Sequence, residues 1–121
     1  MLEIKKFAAI DIGSNAVRLL ISNIVIVKDE EPKFKKSALI RVPIRLGADA
    51  FISGTISEEN SCRMIDAMKA FKLLMKVHGV ETYKACATSA MRDSSNGAIL
   101  IERIKKESDI SIEIIDGKKE E

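Results

Sequence analysis

The stretch from Phe7 to Ile21, FAAIDIGSNAVRLLI, constrains the fold of this chain more than any other part of it. An apolar run ends in Asp11 and Ile12, a glycine and two small polar residues follow, and a second apolar run begins at Val17. Short apolar runs separated by Gly, Ser and Asn are typical of strands joined by a tight turn. The stretch therefore predicts a strand, a polar turn and a second strand.

The predicted turn carries groups that suit a phosphate. Gly13 lets the backbone come close to a ligand because it has no Cβ, and Ser14 and Asn15 add donors beside successive backbone N–H groups. Asp11, at the end of the first strand, can hold a divalent cation or orient water. The alternative is a purely structural turn, since Gly-Ser-Asn turns also join hairpin strands without binding anything.

Composition limits the other classes of function. The chain has 121 residues, 46% of them hydrophobic and 31% charged, which predicts one soluble globular domain. A net charge of +2 is too weak to indicate binding to nucleic acid or to a membrane. The N-terminus MLEIKKF lacks the apolar core of a signal peptide, and no apolar run is long enough to span a bilayer. We therefore expect a cytoplasmic location.

Three strands are predicted first, over about 5–12, 17–28 and 34–44. In the third, alternation places Phe34, Ala38, Ile40, Val42 and Ile44 on one face, interrupted by Lys36, and its solvated other face predicts an edge strand. Arg45 to Gly54 is interpreted as a loop. A helix then begins after an N-cap at Ser57 and ends at Gly79.

The remainder predicts two helix–strand units. The fourth strand covers Val80 to Thr88 and lies parallel to the first, a second helix is capped by Ser94 or Ser95, and the fifth strand covers Ile110 to Ile115. The fold class is therefore α/β, with a five-stranded mixed sheet made of three antiparallel strands followed by two helix–strand units.

Ligands of open α/β sheets bind where the strand ends that point the same way bring their loops together. The segments Asp11–Asn15, Thr88–Arg92 and Asp116–Glu120 are expected to meet at such an edge. They offer backbone N–H donors, the hydroxyls of Thr88 and Ser89, one arginine and carboxylates. Phosphoryl transfer needs these groups, because it requires charge clamps and a group that orients or deprotonates water.

Four segments carry a resemblance to a known family. DIGSN between two apolar strands looks like the first phosphate loop of the actin, sugar-kinase and heat-shock-chaperone ATPase superfamily, and AAIDIGSNAVRLLI resembles the exopolyphosphatase and guanosine pentaphosphate phosphohydrolase (Ppx/GppA) family. The resemblance implies a ribonuclease-H-like half-domain of the actin-like type. Ala16 differs from the family's sequence pattern, which often has serine at this position.

The segment ATSAMRD, residues 87–93, is similar to the family's ATSALRD stretch, with Asn96 matching a further position. This implies that Arg92 clamps phosphate by bidentate contact. Without the resemblance, a surface arginine paired with Asp93 or with a helix end is the expected reading. Arg45-Leu46-Gly47 is similar to the family's RLG segment, so Arg45 is either a substrate contact or part of a structural salt bridge.

The segment IEIIDGKKE, residues 112–120, is similar to the family's IEIISGxEEA, which implies that Glu120 is the catalytic glutamate that activates water. The match is imperfect, because Lys119 stands where the family commonly has a first glutamate and Glu121 where it has alanine. A solvated, frayed Glu120 is the alternative.

The family's second phosphate loop, Asp-x-Gly-Gly-Gly-Ser, has no counterpart in this sequence. We therefore expect residues 1–121 to be the N-terminal half-domain of a larger phosphohydrolase. The resemblance implies Mg²⁺-assisted hydrolysis of polyphosphate or guanosine pentaphosphate, with the remainder of the full-length protein as partner and little activity of this chain alone. The alternatives are another actin-like kinase or ATPase and a non-catalytic phosphate-binding or assembly module. A bare partner surface would favour a homodimer.

Overall fold

A computed structural model describes residues 2–115, which form one five-stranded sheet with helices packed on it. The elements in chain order are β1 (Leu2–Ile12), β2 (Val17–Val27), β3 (Lys33–Val42), α1 (Leu46–Ser53), α2 (Glu58–His78), β4 (Thr82–Ala87), α3 (Ser89–Asp93), α4 (Gly97–Ser108) and β5 (Glu113–Ile114).

The strand order in the sheet is β3-β2-β1-β4-β5. The pairs β1–β2 and β2–β3 are antiparallel, whereas β4 is parallel to β1 and β5 is parallel to β4. This confirms the predicted mixed sheet. The parallel β1–β4 pair matters for function, because it brings the carboxyl ends of these two strands to the same edge of the sheet.

The core lies between one face of the sheet and the helices. Ala8, Ile10 and Ile12 of β1 are buried on this face, as are Val17, Leu19 and Ile21 of β2. An apolar stripe of α2 is also buried, and it includes Met64, Met68, Phe71 and Met75. Complete burial of side chains of this size stabilises the fold by about 1.5–3 kcal/mol each.

The bounds predicted for α2 are confirmed. The Ser57 hydroxyl accepts a hydrogen bond from the Asn60 N–H at 3.1 Å, which satisfies one of the free donors at the helix start. Gly79 has φ of 75° and ends the helix in a left-handed cap, a conformation that glycine adopts without steric cost.

Two segments interpreted as loops are helices. Leu46–Ser53 forms α1, where Gly54 at φ 73° is the C-cap and Leu46 is buried in the core. Ser89–Asp93 forms the short helix α3, so the next helix begins at Gly97 with Asn96 as its N-cap, not Ser94 or Ser95. Gly97 allows α4 to begin in contact with α3, because a Cβ at this position would lie 2.0 Å from the Met91 carbonyl oxygen.

The fifth strand is shorter than predicted, with only Glu113–Ile114 in the ladder. Ile110 is fully buried in the core instead of pairing in the sheet, and the Ser111 N–H donates to the Tyr83 hydroxyl at 3.0 Å. Packing against the core and a side-chain acceptor therefore replace the expected backbone pairing at the start of this segment.

The face predicted for Phe34 is wrong, because β3 contains a bulge. Ala38 pairs with Ile21 and Lys36 pairs with Ser22, so Ser37 is an extra residue in β3. One extra residue moves every preceding side chain to the opposite face. Ala38, Ile40 and Val42 pack against the core as predicted, whereas Phe34 is 72% exposed.

The opposite face of the sheet carries apolar side chains that no described helix covers. We call this the helix-free face, and its apolar positions are half-buried or exposed: Phe7, Ala9, Leu20, Ile24, Ile26, Phe34 and Leu39.

None of the helices found within residues 2–115 is long and apolar enough to cross a membrane.

Replacing Phe71 by alanine tests which aromatic residues form the core. Phe71→Ala removes a ring that is 1% exposed, and we expect it to lower the free energy of unfolding by about 3–5 kcal/mol. Phe34→Ala is the matched control, with an expected change within about 0.5 kcal/mol. Urea unfolding of both variants measures the difference, and equal losses would contradict the register shift at Ser37.

Candidate functional site

The turn between β1 and β2 is closed by one backbone hydrogen bond. The Gly13 N–H donates to the Ala16 carbonyl at 3.0 Å, which leaves Ser14 half-buried and Asn15 exposed at the tip. A Cβ on Gly13 would meet only the Ala16 oxygen, at 3.4 Å, so the space beside this residue is open. The turn thus keeps room for a group to approach the backbone of Gly13.

Gly47 connects the start of α1 to this turn. Its N–H donates to the Ser14 carbonyl at 2.8 Å. A Cβ on Gly47 would lie 2.9 Å from the Ser14 Cβ, closer than real Cβ contacts. Gly47, the glycine of the RLG segment, therefore contacts the β1–β2 turn. Arg45 is exposed, and within residues 2–115 its side chain forms no hydrogen bond or ion pair.

The ends of β1 and β4 lie side by side. The Thr88 N–H and the Thr88 hydroxyl both donate to the Ile12 carbonyl, at 3.2 and 3.4 Å. This joins the segment 88–92 to the turn after β1, as expected from the parallel pairing of the strands. The Thr88 hydroxyl is occupied by the backbone, and Ser89 begins α3 directly beyond it.

The turn, α1 and α3 border an open cavity of about 370 Å³ at this edge of the sheet. Ser14 and Ser89 lie on its wall together with Gly47, Ala50, Phe51, Ala90 and Asp93. The wall is therefore polar on the side of the turn and α3, and apolar on the side of α1. Two of the predicted phosphate-binding residues, Ser14 and Ser89, share this cavity.

Arg92 lies beside the cavity and not on its wall. Its Nε donates to Asp93 Oδ1 at 3.3 Å, and its Nη1 donates to the Ile115 carbonyl at 3.3 Å. The guanidinium thus sits between the end of α3 and the residue that follows β5. The contact with Asp93 is the pairing expected of a surface arginine, and Asp93 itself lines the cavity.

The two predicted carboxylates are located differently. Asp11 is exposed, and strand alternation places its side chain on the helix-free face, between its cross-strand neighbours Arg18 and Cys86. Glu120 lies outside the described residues. Within residues 2–115, no cluster of three or more His, Cys, Asp or Glu side chains is arranged to hold a metal ion.

Asn96 and Ser95 hold the loop after α1 against the loop after α3, a role that the sequence does not indicate for either residue. The Asn96 side chain accepts from the Ile56 N–H and donates to the Ile56 carbonyl, both at 2.9 Å. The Ser95 N–H also donates to the Gly54 carbonyl at 2.8 Å. The Asn96 side chain thus satisfies both backbone groups of Ile56, and it fixes the loop after α1 to the loop after α3. Its place in the ATSAMRD resemblance was the one available signal.

Asp49 holds α1 at the start of α2. Its Oδ2 accepts from the Ser57 N–H and from the Asn60 side-chain amide, each at 2.9 Å. The hydrogen bond from the Ser57 backbone, followed by that from Asn60, holds the pKa of the Asp49 carboxyl below its ordinary value. The carboxylate therefore ties α1 to the N-terminus of α2.

Comparison with known proteins gives a family match over most of the chain. A family model described as the Ppx/GppA phosphatase family matches residues 25–121. The crystal structure of the Aquifex aeolicus member of the Ppx/GppA protein family is similar with a TM-score of 0.89 and 31% identity, covering 98% of this chain and 37% of that one.

Two curated relatives are similar over nearly the whole chain. Exopolyphosphatase 1 of Mycobacterium tuberculosis is 26% identical, covering 95% of this chain and 32% of the relative. Guanosine-5'-triphosphate,3'-diphosphate pyrophosphatase of Aliivibrio fischeri is 28% identical, covering 94% of this chain and 22% of the relative. The chain thus spans a third or less of the length of these curated relatives.

Replacing Gly47 by alanine tests the contact between α1 and the turn. Alanine favours a helix over glycine by about 1 kcal/mol, yet its Cβ would collide with Ser14. We expect the collision to dominate and to lower the free energy of unfolding by about 1–3 kcal/mol, measured by urea unfolding. Gly13→Ala, whose Cβ has more space, is the control with a smaller loss. A gain in stability for Gly47→Ala would contradict the close contact.

The lowered pKa of Asp49 predicts acid sensitivity. The ionised carboxyl stabilises the fold fully above its unfolded-state pKa near 3.8, and this contribution is lost as the pH falls through the lower folded-state pKa. We expect the stability difference between the wild type and Asp49→Asn to shrink as the pH is lowered from about 6 to 2.5. Urea unfolding at each pH measures it, and parallel curves would contradict the assigned hydrogen bonds.

Proposed function

Since this chain belongs to the Ppx/GppA phosphatase family, we propose that it forms the first phosphate-binding half of a phosphoanhydride hydrolase. The cavity shared by Ser14 and Ser89 at the carboxyl edge of the sheet carries the proposal. A cavity in this position is where open α/β sheets bind their ligands. The sheet itself has the ribonuclease-H-like, actin-like order of elements.

In this proposal the β1–β2 turn binds a phosphoryl group through backbone N–H groups. Gly13 leaves space for the approach of the ligand, while Ser14 and Asn15 add side-chain donors. Ser89 offers a hydroxyl from the opposite side of the cavity, and Thr88 positions α3 through its two bonds to Ile12. Fixed donors of this kind stabilise developing negative charge without reorganisation during the reaction.

Arg92 would supply the cationic clamp. Its ion pair with Asp93 is 3.3 Å long, with 38% and 63% of the two side chains exposed. Exposed pairs of this type contribute at most about 1 kcal/mol, whereas bidentate arginine–phosphate contacts are stronger. An anion in the cavity would therefore outcompete Asp93 for the guanidinium. Arg45, exposed at the start of α1, remains a candidate for a second contact with the substrate.

A divalent cation is part of the proposal. Mg²⁺ keeps several waters and takes one or two carboxylates together with substrate phosphates. Asp11 is the carboxylate proposed for it, and because this side chain lies on the helix-free face, the cation would bind at the end of β1 and reach the phosphates through its waters. The cation would neutralise charge on the transferring phosphoryl group. Glu120 is proposed as the base that activates water, on the resemblance alone.

The names of two relatives, which specify polyphosphate and a guanosine phosphate, support the substrate class that we propose. We propose hydrolysis of a terminal phosphate from polyphosphate or guanosine pentaphosphate. The second phosphate loop would come from another half-domain in the remainder of the full-length protein. Phosphate release from polyphosphate with Mg²⁺ is therefore expected from a version extended through that loop, and not from residues 1–121 alone. Activity of the short chain would contradict this division.

The helix-free face favours a second role in assembly. Phe34 and Leu39 are 72% and 53% exposed on this face, beside half-buried Leu20 and Ile24. An apolar surface of this kind is typical of contacts between protein segments. We propose that it packs against the rest of the protein, or against a second copy of the chain when that is absent. A non-catalytic binding module would use the same face.

Replacing Arg92 by alanine tests the phosphate clamp. We expect Arg92→Ala to weaken binding of inorganic triphosphate by at least about 10-fold, because a charge-assisted contact is lost. Arg41→Ala, which removes an exposed arginine from the edge strand, is the control with the same change in net charge. NMR titration of the backbone amides measures both affinities. Equal weakening in the two variants would indicate a general charge effect and would exclude the clamp.

A further inference from the structure

Phe51 stands at the mouth of the cavity with its ring in solvent. It is 92% exposed and borders the same cavity as Ser14 and Ser89. Its neighbour Ile52 is also exposed, at 82%, but does not line the cavity. An aromatic side chain can bury 150–250 Å² against a partner, so this ring is a large unused contact surface beside the proposed phosphate site.

The two sides of the cavity suit two different parts of a ligand. Ser14, Ser89 and the backbone of the turn present donors to phosphate oxygens, while Ala50 and Phe51 form an apolar wall on α1. Inorganic polyphosphate consists of phosphate groups alone and has nothing apolar to place on this wall. A nucleoside polyphosphate carries a flat base joined to its phosphates through a sugar.

The spacing along α1 fits such a ligand. Gly47 contacts the phosphate-binding turn, and Phe51 lies one helical turn further on, about 6 Å along the axis. The phosphates and sugar of a nucleoside polyphosphate together are longer than this, so a ligand with its terminal phosphate at the turn can extend along α1 as far as Phe51. Phosphate groups held at the turn would therefore leave the base near the ring of Phe51.

The ring is carried by a segment that is already fixed. The Gly54 N–H caps α1 by donating to the Asp49 and Ala50 carbonyls, and the Gly54 carbonyl accepts from the Ser95 N–H at 2.8 Å. The Asn96 side chain accepts from the Ile56 N–H and donates to the Ile56 carbonyl. A contact surface on a rigid element costs less entropy on binding than one on a flexible loop.

We propose that Phe51 is a specificity-determining residue that stacks on the base of a nucleoside polyphosphate, so that this site prefers such a ligand to inorganic polyphosphate. The inference rests on the proposed phosphate-binding function of the same cavity. Stacking of a base on an aromatic side chain is tolerant of base identity, since every base has a flat face. The preference is therefore for a nucleoside over none, and not for one particular base.

The test compares GTP with inorganic triphosphate, two probes that share a triphosphate group, by NMR titration of the 121-residue chain. We expect the wild type to bind GTP about 10-fold more tightly than triphosphate. Phe51→Ala is expected to remove this preference and to leave triphosphate affinity unchanged, while Phe51→Trp retains it. Ile52→Ala, an equally exposed change one residue away, is the control and should alter neither affinity.

The outcomes separate this inference from the function on which it rests. Equal affinities of the wild type for GTP and triphosphate would overturn the stacking role and leave the phosphate site intact. A Phe51→Ala variant that loses both affinities equally would also overturn it, because the residue would then act on the shape of the cavity. Failure of the wild type to bind either probe would overturn both proposals.

Discussion

The hydrogen bond from the Gly47 N–H to the Ser14 carbonyl is the contact on which the candidate site depends. At 2.8 Å it brings the first turn of α1 against the β1–β2 turn, and only glycine fits at this distance. Leu46, Asp49 and Gly54 anchor α1 to the core, to α2 and to the loop after α3. Without the Gly47 bond the first turn of α1 would separate from the β1–β2 turn, and the cavity would open between Ser14 and Gly47.

Local patterns were sufficient for the parts of the fold that are regular over several turns or residues. The strand–turn–strand unit around Gly13 and the bounds of α2 are confirmed, since both elements have recognisable ends in the sequence. The helices α1 and α3 were missed because they have only 8 and 5 residues, too few for a helical period to show. Gly54 is a helix cap and not a loop residue. The one local sign of the bulge at Ser37 is Lys36, which interrupts the apolar alternation, and the alternation therefore predicts the wrong face for Phe34.

For the site, sequence patterns identified chemical groups but not their surroundings. The pattern predicted that the segments after β1 and β4 meet, and Thr88 is bonded to Ile12 as that requires. The positions of side chains depend on tertiary contacts that a motif does not encode. Arg92 is paired with Asp93, and Asp11 faces away from the cavity because strand alternation fixes its direction. Asn96 is marked only by its place in the resemblance and Asp49 by nothing in the sequence, since their partners lie 40 and 8 to 11 residues away.

The bulge in β3 also bears on how molecules of this chain can meet. An open strand edge is a template on which further strands can add and form insoluble aggregates. Here the extra residue at Ser37 interrupts the regular row of backbone donors and acceptors, and Lys33, Lys35 and Lys36 surround it with positive charge. Growth of the sheet sideways is thereby discouraged. A large apolar surface on one side of a sheet can remain free of uncontrolled polymerisation when the adjoining edge is protected in this way.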